Sequence, residues 1–292
     1  MPPDADPMSM ERIDLHTHTT WSSGFCEPDE LVRRASLGGV RTLAITDHHQ
    51  VAGYAEAVAT AMTYGVTLIP AVEIDCRSEG RNTDLLGYWI DPCSATLHAF
   101  LQEWPDAWSM LVENPRWLAP LATVLDVPLD LALLRTISGN RPPTILHLML
   151  ALVALGWSQT VGDAYTRFQE VRQQPGFPRL HRDRPSIEAG AAVIRAAGGV
   201  VTLAHPGLVH DDDLVRRLVA TRVVDAIEAH YGGYWKDGDS VNGRYQRLAR
   251  EHHMSVSAGS DYHARPFDDI ALGVTVPADT VARLRLVRKP HA

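Results

Sequence analysis

The sequence predicts an α/β fold, in which a barrel of parallel strands alternating with helices is interrupted by a helical insertion. Three observations predict it. Six short β-branched or aliphatic runs each end in a polar cluster, segments with helix signals separate these runs, and the middle of the chain is rich in Leu, Ala and Trp with little strand-like alternation. The length of 292 residues is enough for one barrel-sized domain or for two smaller domains.

The strand-like runs lead into residue types that ligate metals or act in catalysis. The first run, RIDL, ends at His16 and His18, and side chains two positions apart in a strand point to the same side. One such pair is more often simply solvated, but here the pattern recurs along the chain. Because the strands of a parallel barrel end at one mouth, the polar clusters are expected to share a site. The later runs are RTLAIT before Asp47, His48 and His49, VTLIPAV before Glu73, VVTLA before His205, DAIEA before His230, and SVSAG before the cluster with Asp261 and His263.

Helix signals occupy the intervals between these runs. Pro28 stands at a first helical position before DELVRRASLGG, and residues 55–64 are rich in Ala. Ser186 is a suitable N-cap for IEAGAAVIRAAGG, and Asp239 or Ser240 could cap NGRYQRLAREHH. Strand and helix therefore alternate, as parallel strands with crossover helices require.

The middle of the chain predicts a separate helical subdomain. The segments LHAFLQEW and TILHLMLALVALGW are expected to be helices, and the Pro- and Arg-rich residues 175–185 are expected to return the chain to the barrel. We therefore predict a barrel over residues 13–95 and 181–292, a helical insertion over residues 96–180, and a disordered lead-in over residues 1–12.

Composition excludes several classes of partner. Lys and Arg number 27 against 35 Asp and Glu, so the net charge of −8 gives no broad positive field for long duplex nucleic acid. A small phosphorylated substrate would need local cations. The three cysteines have neither paired spacing nor an even count, which favours reduced thiols and a cytoplasmic location. No signal-peptide pattern or bilayer-spanning run is visible, so no membrane partner is expected, and the oligomeric state is left open.

The residues at the strand ends predict a site for several metal ions. They combine imidazoles and carboxylates without cysteine, a set that suits Zn²⁺, Mn²⁺ or Fe²⁺. A carboxylate such as Glu73 can bridge two cations, which would generate a hydroxide nucleophile near neutral pH and neutralise charge on a phosphate. The candidate ligands are His16, His18, His48, Glu73, His205, Asp261 and His263.

The phrases DLHTHTTWSSG, LAITDHH, PAVEI, TLAHPG and SAGSDYHA together resemble the PHP family, named for polymerase and histidinol phosphatase domains. Within it they resemble the branch that cleaves phosphate from nucleoside 3′,5′-bisphosphates and trims short RNA. The resemblance covers about residues 13–94 and 185–275, and it implies a distorted (β/α)7 barrel with two to three divalent metal ions. It implies a first metal at His16, His18, Glu73 and Asp261, a second at Glu73 and His205, and a third at His48 and His263.

The chain departs from the family pattern at three positions. Ser23 stands where the family usually has an Asp that would ligate the third metal, and a neutral hydroxyl is a much poorer ligand. Asp84 stands where the branch usually has His, as a substitute ligand for the second metal. Gln50 replaces the Asp common after T-D-H. We therefore expect a two-metal site ahead of a three-metal site, although water, His49 or His230 could complete the third; for His230 a local strand-end role is favoured.

The expected activity is hydrolysis of a phosphate monoester of a small metabolite, in particular a nucleotide, by a metal-bound hydroxide. The resemblance suggests substrate contacts from His147 and Arg141 in the insertion, and His49 is a further candidate; Arg141 could equally be a solvated loop residue. The insertion would cap the mouth and select small molecules or short oligonucleotide ends. Histidinol phosphate is the rival substrate, and a degenerate protein that binds metal or nucleotide without turnover is the alternative of a different class.

Overall fold

The computed structural model describes residues 9–139, 141–178, 183–234, 238–266 and 268–287. The strands are β1 (Met10–Thr17), β2 (Thr42–Ile45), β3 (Thr67–Ile74), β4 (Arg77–Ser78), β5 (Arg81–Asn82), β6 (Leu85–Tyr88), β7 (Val200–Leu203), β8 (Ala226–Tyr231), β9 (Ser255–Gly259) and β10 (Val274–Pro277). The helices are α1 (Pro28–Leu37), α2 (Ala52–Tyr64), α3 (Ala95–Glu103), α4 (Ala107–Glu113), α5 (Pro115–Leu125), α6 (Leu131–Ser138), α7 (Ile145–Ala154), α8 (Val161–Arg172), α9 (Ile187–Ala196), α10 (Asp212–Ala220), α11 (Gly238–Glu251) and α12 (Thr280–Leu286).

The expected α/β barrel is confirmed. An eight-stranded sheet runs in the order β10-β1-β2-β3-β6-β7-β8-β9 and is nearly closed. Two backbone hydrogen bonds at the mouth connect β1 and the residue after it with the segment that follows β9, from the Asp261 amide to the His16 carbonyl (2.8 Å) and from the His18 amide to the Tyr262 carbonyl (2.9 Å). Asp14 reinforces this closure, because its buried carboxylate accepts hydrogen bonds from the Ser260 amide (2.9 Å) and the Gly273 amide (2.7 Å).

The sheet is not uniformly parallel, which corrects the expectation from the sequence. Strand β6 pairs antiparallel with both β3 and β7, while the pairs β1–β2, β2–β3, β7–β8 and β8–β9 are parallel. The connection from β3 to β6 contains only the short β4–β5 hairpin and has no room for a crossover helix, so the chain must turn back. As a result, the start of β6 lies at the mouth, where its antiparallel neighbours β3 and β7 end.

The first strand begins earlier than expected. Residues 10–12, which we assigned to a disordered lead-in, form the start of β1, because Met10 to Ile13 pair antiparallel with β10. Residues 1–8 of the predicted lead-in lie outside the described residues, as do residues 179–182 of the predicted connector.

The helices follow the sequence signals closely. Pro28 begins α1, and the Ser186 side chain caps α9 by accepting a hydrogen bond from the Ala189 amide at 3.2 Å. One expectation is wrong in detail: α11 begins at Gly238, so Asp239 lies in its first turn rather than at its N-cap. Among the described residues, no helix is both long and apolar enough to cross a bilayer.

The middle of the chain builds a core of its own. Helices α4 to α8 pack around buried Leu, Met, Trp and Phe side chains that form a cluster separate from those of the barrel. Leu97 and Leu101 of α3 belong instead to the cluster between the sheet and helix α9, so α3 packs with the barrel. Residues 96–178 contain helices and no strand in the part that the structure describes.

Candidate metal centre

Five strand ends bring the predicted ligands to one mouth of the barrel. Six of the seven side chains are buried; His48 is partly exposed. Gly259 of β9 lies so close to β1 that a Cβ atom there would collide with the Cβ of His16, which explains why glycine ends this strand. The side chains are His16 in β1 and His18 just after it, His48 after β2, Glu73 in β3, His205 after β7, and Asp261 and His263 after β9.

Glu73 lies at the centre of this cluster. Its Oε2 is 3.3 Å from His16 Nε2, 3.2 Å from His18 Nε2 and 3.3 Å from His48 Nδ1. Its Oε1 faces the other way and is 3.1 Å from His205 Nε2. One carboxylate therefore presents its two oxygens to two different groups of imidazoles, as a bridging ligand does.

Asp261 completes the first of these groups. Its Oδ1 is 3.4 Å from His16 Nε2 and 3.2 Å from His18 Nε2. The backbone is strained there: Asp261 has φ 56° and His205 has φ 23°, both in the left-handed region that non-glycine residues seldom adopt. Strain of this kind concentrates at functional sites, where the surrounding structure holds it.

The donor set fits divalent cations. Ligand atoms about 2.1 Å from one cation lie roughly 3.0–3.4 Å from each other, which is the spacing seen around Glu73. His18 Nε2 and His48 Nδ1 are buried and have no hydrogen-bond partner within the described part of the chain. Buried polar atoms without partners are costly, and a cation would satisfy them. Three groups could each hold an ion, namely His16 with His18 and Asp261, His16 with Glu73 and His205, and His18 with His48 and His263.

The electrostatics reflect this crowding of acids and imidazoles. Burial opposes protonation of His16, but the charges of Glu228, Glu73 and Asp261 outweigh it and hold the His16 pKa well above its ordinary value. Burial likewise disfavours the charged form of Glu73, yet His48 and His16 hold the Glu73 pKa well below its ordinary value. The buried carboxylates therefore stabilise positive charge in the site, and they would stabilise a bound cation in the same way.

Glu228 in β8 supports the site and was missed from the sequence. Its carboxylate is 3.1 Å from His16 Nδ1 and accepts a hydrogen bond from the His205 amide at 2.7 Å. A carboxylate on Nδ1 fixes the tautomer of His16 and leaves Nε2 free to ligate, as is common around protein-bound metals. The available signal was an acidic residue inside the apolar run DAIEA, where a buried charge needs a partner.

Ser23 and His263 satisfy each other. His263 Nδ1 lies 2.8 Å from the Asp261 carbonyl, which can only accept, so this nitrogen carries the proton. His263 Nε2 is then an acceptor, and the Ser23 hydroxyl donates to it at 2.9 Å. Burial and the neighbouring His18 hold the His263 pKa well below its ordinary value, consistent with this neutral tautomer.

Asp84 reaches the mouth but is engaged elsewhere. Its Oδ1 accepts a hydrogen bond from Arg184 at 2.8 Å, and it is absent from the three groups of ligand atoms found among the described residues. Asp75, which the sequence did not single out, lies closer to the cluster, with Oδ1 2.9 Å from His48 Nδ1. It follows directly after β3, at the same edge of the sheet as Glu73.

The three predicted substrate contacts are not among the described residues that line the cavity over the cluster. Arg141 donates to Glu27 (2.6 Å) and Glu56 (2.8 Å). His147 Nδ1 accepts from the Thr144 amide at 2.9 Å and closes a capping box at the start of α7. His49 is buried, and its Nε2 accepts from the Asp75 amide at 2.9 Å. Each of the three side chains therefore has a partner within the protein, and its contact with substrate stays a prediction.

His230 bonds to a neighbouring element, as the sequence favoured, and is not among the described residues that line the cavity over the cluster. It lies in β8, and its Nδ1 is 3.3 Å from the Gln246 side-chain nitrogen in α11. It lines a cavity beside α12 instead of the one over the cluster.

A cavity of about 350 Å³ opens over the cluster. Arg265 and Tyr234 line it together with Glu73 and His205. Neither Arg265 nor Tyr234 was predicted from the sequence. Pockets for small ligands commonly have volumes of about 300–1,000 Å³, so this space suits a small molecule.

A barrel whose strand ends gather imidazoles and carboxylates defines the class of metal-dependent hydrolases. Comparisons with known proteins agree. Residues 14–153 match the PHP domain profile. The chain is 31% identical over 274 residues to the 5′-3′ exoribonuclease Rnm of Salmonella typhimurium, covering 89% of this chain and 87% of that protein. It is 29% identical over 271 residues to the 3′,5′-nucleoside bisphosphate phosphatase of Chromobacterium violaceum, covering 87% and 88% of the two chains.

A solved structure shares the whole fold. A Bifidobacterium adolescentis protein predicted to be a metal-dependent phosphoesterase superposes with a TM-score of 0.78 at 24% identity, covering 98% of this chain and 99% of that one. The chain belongs to the PHP family. It is an enzyme, a metal-dependent hydrolase of phosphate esters, as the sequence predicted.

Proposed function

We propose that this enzyme removes phosphate from a small nucleotide and that a nucleoside 3′,5′-bisphosphate is its substrate. The observation that carries the proposal is the small cavity over the Glu73 cluster, whose rim adds a guanidinium and an aromatic ring to the metal-binding groups. The Chromobacterium violaceum relative is named for this substrate, and the Salmonella typhimurium relative for degradation of RNA from its 5′ end. The end of a short oligonucleotide is therefore a related candidate.

We further propose that the chain holds two divalent ions, with Mn²⁺, Zn²⁺ or Fe²⁺ as candidates. His16, His18, Glu73 and Asp261 would hold the first ion, and Glu73 and His205 the second, consistent with the two oxygens of Glu73 facing different imidazoles. Bound ions of this kind supply a hydroxide nucleophile near neutral pH and neutralise charge on the phosphate.

The third site is proposed to be empty in the native enzyme. His48 and His263 would be its remaining ligands, and His263 Nε2 already accepts a hydrogen bond from the Ser23 hydroxyl. A serine hydroxyl brings no negative charge to offset the desolvation of a divalent ion, whereas the carboxylate expected at this position would. Asp84 lines the same cavity as Glu73 and His205 and stays a candidate ligand for the second ion, through the oxygen that does not accept from Arg184.

The protein itself would bind and orient the substrate. Glu228 holds His16 and the His205 backbone in place, and the buried walls limit water to the cavity. The cavity admits a nucleotide or a strand end, whereas the net charge of −8 disfavours long duplex nucleic acid.

The test is release of inorganic phosphate by Mn²⁺-loaded enzyme from adenosine 3′,5′-bisphosphate, AMP and histidinol phosphate in parallel. We expect chelator-sensitive release with the highest kcat/KM for the bisphosphate. A higher kcat/KM for histidinol phosphate would show that the nucleotide assignment is wrong. A 5′-phosphorylated RNA trinucleotide, followed by chromatography, tests the oligonucleotide candidate in the same preparation.

A further inference from the structure

Arg265 is fixed at the rim of the active-site cavity. Its Nη1 donates to the Tyr234 hydroxyl at 2.9 Å, and that hydroxyl donates in turn to Asp268 Oδ2 at 2.9 Å. The guanidinium carbon also lies 5.5 Å from the centre of the Tyr165 ring and 6.0 Å from that of Tyr234. A guanidinium held by aromatic rings and a hydroxyl has little freedom left to lose when it binds a ligand.

Arg265 lines the cavity that lies over the candidate metal ligands. Arg265 and Tyr234 line the same cavity as Glu73 and Asp261, and the Tyr234 ring centre is 6.3 Å from that of His263. The Arg265 side chain is 15% exposed, and its Nε is buried with no hydrogen-bond partner among the described residues. A donor held at the rim without a partner is suited to an oxygen-rich ligand.

Other cations near the mouth are already neutralised. Arg141 bonds to two carboxylates at 2.6 and 2.8 Å, and Arg184 bonds to Asp84 at 2.8 Å. Arg265 has a weaker contact, with Asp268 Oδ2 at 3.4 Å from its Nη1. Of the described residues that line the cavity, Arg265 is the one that carries a guanidinium.

We propose that Arg265 is a specificity-determining residue that binds the phosphate group of the substrate that is not hydrolysed. The proposed metal ligands surround the site of the phosphate that is hydrolysed. A nucleoside bisphosphate carries a second dianionic phosphate, which must also be desolvated when the substrate binds. A guanidinium matches phosphate with two parallel hydrogen bonds. Tyr234, which is partly exposed beside Arg265, orients the guanidinium through its hydroxyl. This inference rests on the proposed bisphosphate substrate.

The experiment measures kcat and KM of wild-type enzyme, Arg265→Gln and Arg265→Lys with adenosine 3′,5′-bisphosphate and with p-nitrophenyl phosphate, which has a single phosphate. For Arg265→Gln we expect KM for the bisphosphate to rise about 10-fold or more, with kcat within about 3-fold, because a charge-assisted contact is lost. KM for p-nitrophenyl phosphate should change less than about 2-fold. Arg265→Lys should recover part of the loss, since it keeps the charge but not the two-pronged geometry.

Arg217→Gln is the matched control, because Arg217 pairs with Glu79 on the outside of the barrel and should leave both KM values unchanged. An equal change of KM for both substrates in Arg265→Gln, or no change for either, would overturn the role of Arg265. Wild-type enzyme that hydrolyses p-nitrophenyl phosphate but not the bisphosphate would instead overturn the proposed substrate. The two failures are therefore distinguishable.

Discussion

At the scale of single residues, the proposed two-ion site makes Ser23 the position to test for the number of bound ions. Its hydroxyl satisfies His263 Nε2, one of the nitrogens that a third ion would need. We predict that Ser23→Asp raises the metal content from two ions to three per chain, because it supplies a charged oxygen ligand beside His263 and His48. The measurement is elemental analysis after loading with Mn²⁺ and dialysis. Ser23→Ala, which removes the hydroxyl without adding charge, should stay at two ions; three ions in the wild type would contradict the prediction.

Glu228 makes a second prediction at this scale. Without its carboxylate on Nδ1, His16 is a weaker and less well oriented ligand, so Glu228→Gln should weaken Mn²⁺ binding about 10- to 100-fold. Titration of metal-free protein with Mn²⁺, followed by electron paramagnetic resonance of the free ion, measures this affinity. Glu188→Gln changes an exposed acid in the first turn of α9 and is the control. Unchanged affinity in Glu228→Gln would mean that His16 needs no such support.

That the candidate metal ligands would lie together could be predicted from the sequence, because each ends a strand with a strong apolar signal. His16, Glu73 and Asp261 are far apart in the chain, yet the topology of a barrel brings all strand ends to one mouth. Arg265 could not be found this way, since an arginine in a loop after the last ligand looks like any solvated cation. Its partners Tyr165 and Tyr234 come from other segments, and only the fold places them together.

At the scale of elements, β6 shows where reasoning from periodicity fails. Its four residues are all buried, and nothing in their hydrophobic pattern tells a parallel strand from an antiparallel one. The decisive feature is the preceding β4–β5 hairpin, whose length forbids a crossover. The reversal matters for the site, because the start of β6 now lies at the mouth and brings Asp84, the residue before β6, to the cavity.

The attachment of the insertion to the barrel gives a prediction for Arg141. This residue lies between α6 and α7 and bonds to Glu56 of α2, with side chains 25% and 39% exposed. We expect Arg141→Gln and Glu56→Gln each to lower the free energy of unfolding by about 1 kcal/mol or less, without adding in the double variant, since the pair is partly screened by water. Urea unfolding of the two variants and the double variant measures this.

Steady-state kinetics on the same proteins distinguishes the two roles considered for Arg141. If Arg141 only links the insertion to the barrel, both variants should have similar KM values, because the ion pairs that they break, with Glu27 and Glu56, do not contact substrate. A contact with substrate phosphate would raise KM in Arg141→Gln alone. That outcome would restore the role that the sequence resemblance suggested.

At the scale of the whole molecule, residues that close the barrel are also among the proposed metal ligands. The Asp261 amide donates to the His16 carbonyl and so connects β1 with the segment after β9, while both side chains lie in the cluster. An ion bound there holds β1, β3 and the segment after β9 together, and the unfolded chain offers no such site. Metal should therefore stabilise the folded enzyme through linkage between binding and folding.

We predict that saturating Mn²⁺ raises the Tm of metal-free enzyme by roughly 5–10 °C for each ion bound. An ion at 100 times its dissociation constant contributes about 2.7 kcal/mol, and each kcal/mol raises Tm by about 2–4 °C for a chain approaching this size. Differential scanning calorimetry with and without Mn²⁺ measures the shift, and Glu73→Gln, which removes the bridging charge, should lose most of it. The Glu79→Gln variant, altered in the exposed turn between β4 and β5, should keep the full shift. No change in the Tm of the wild type on addition of Mn²⁺ would show that the stability of the fold does not depend on metal binding at the cluster.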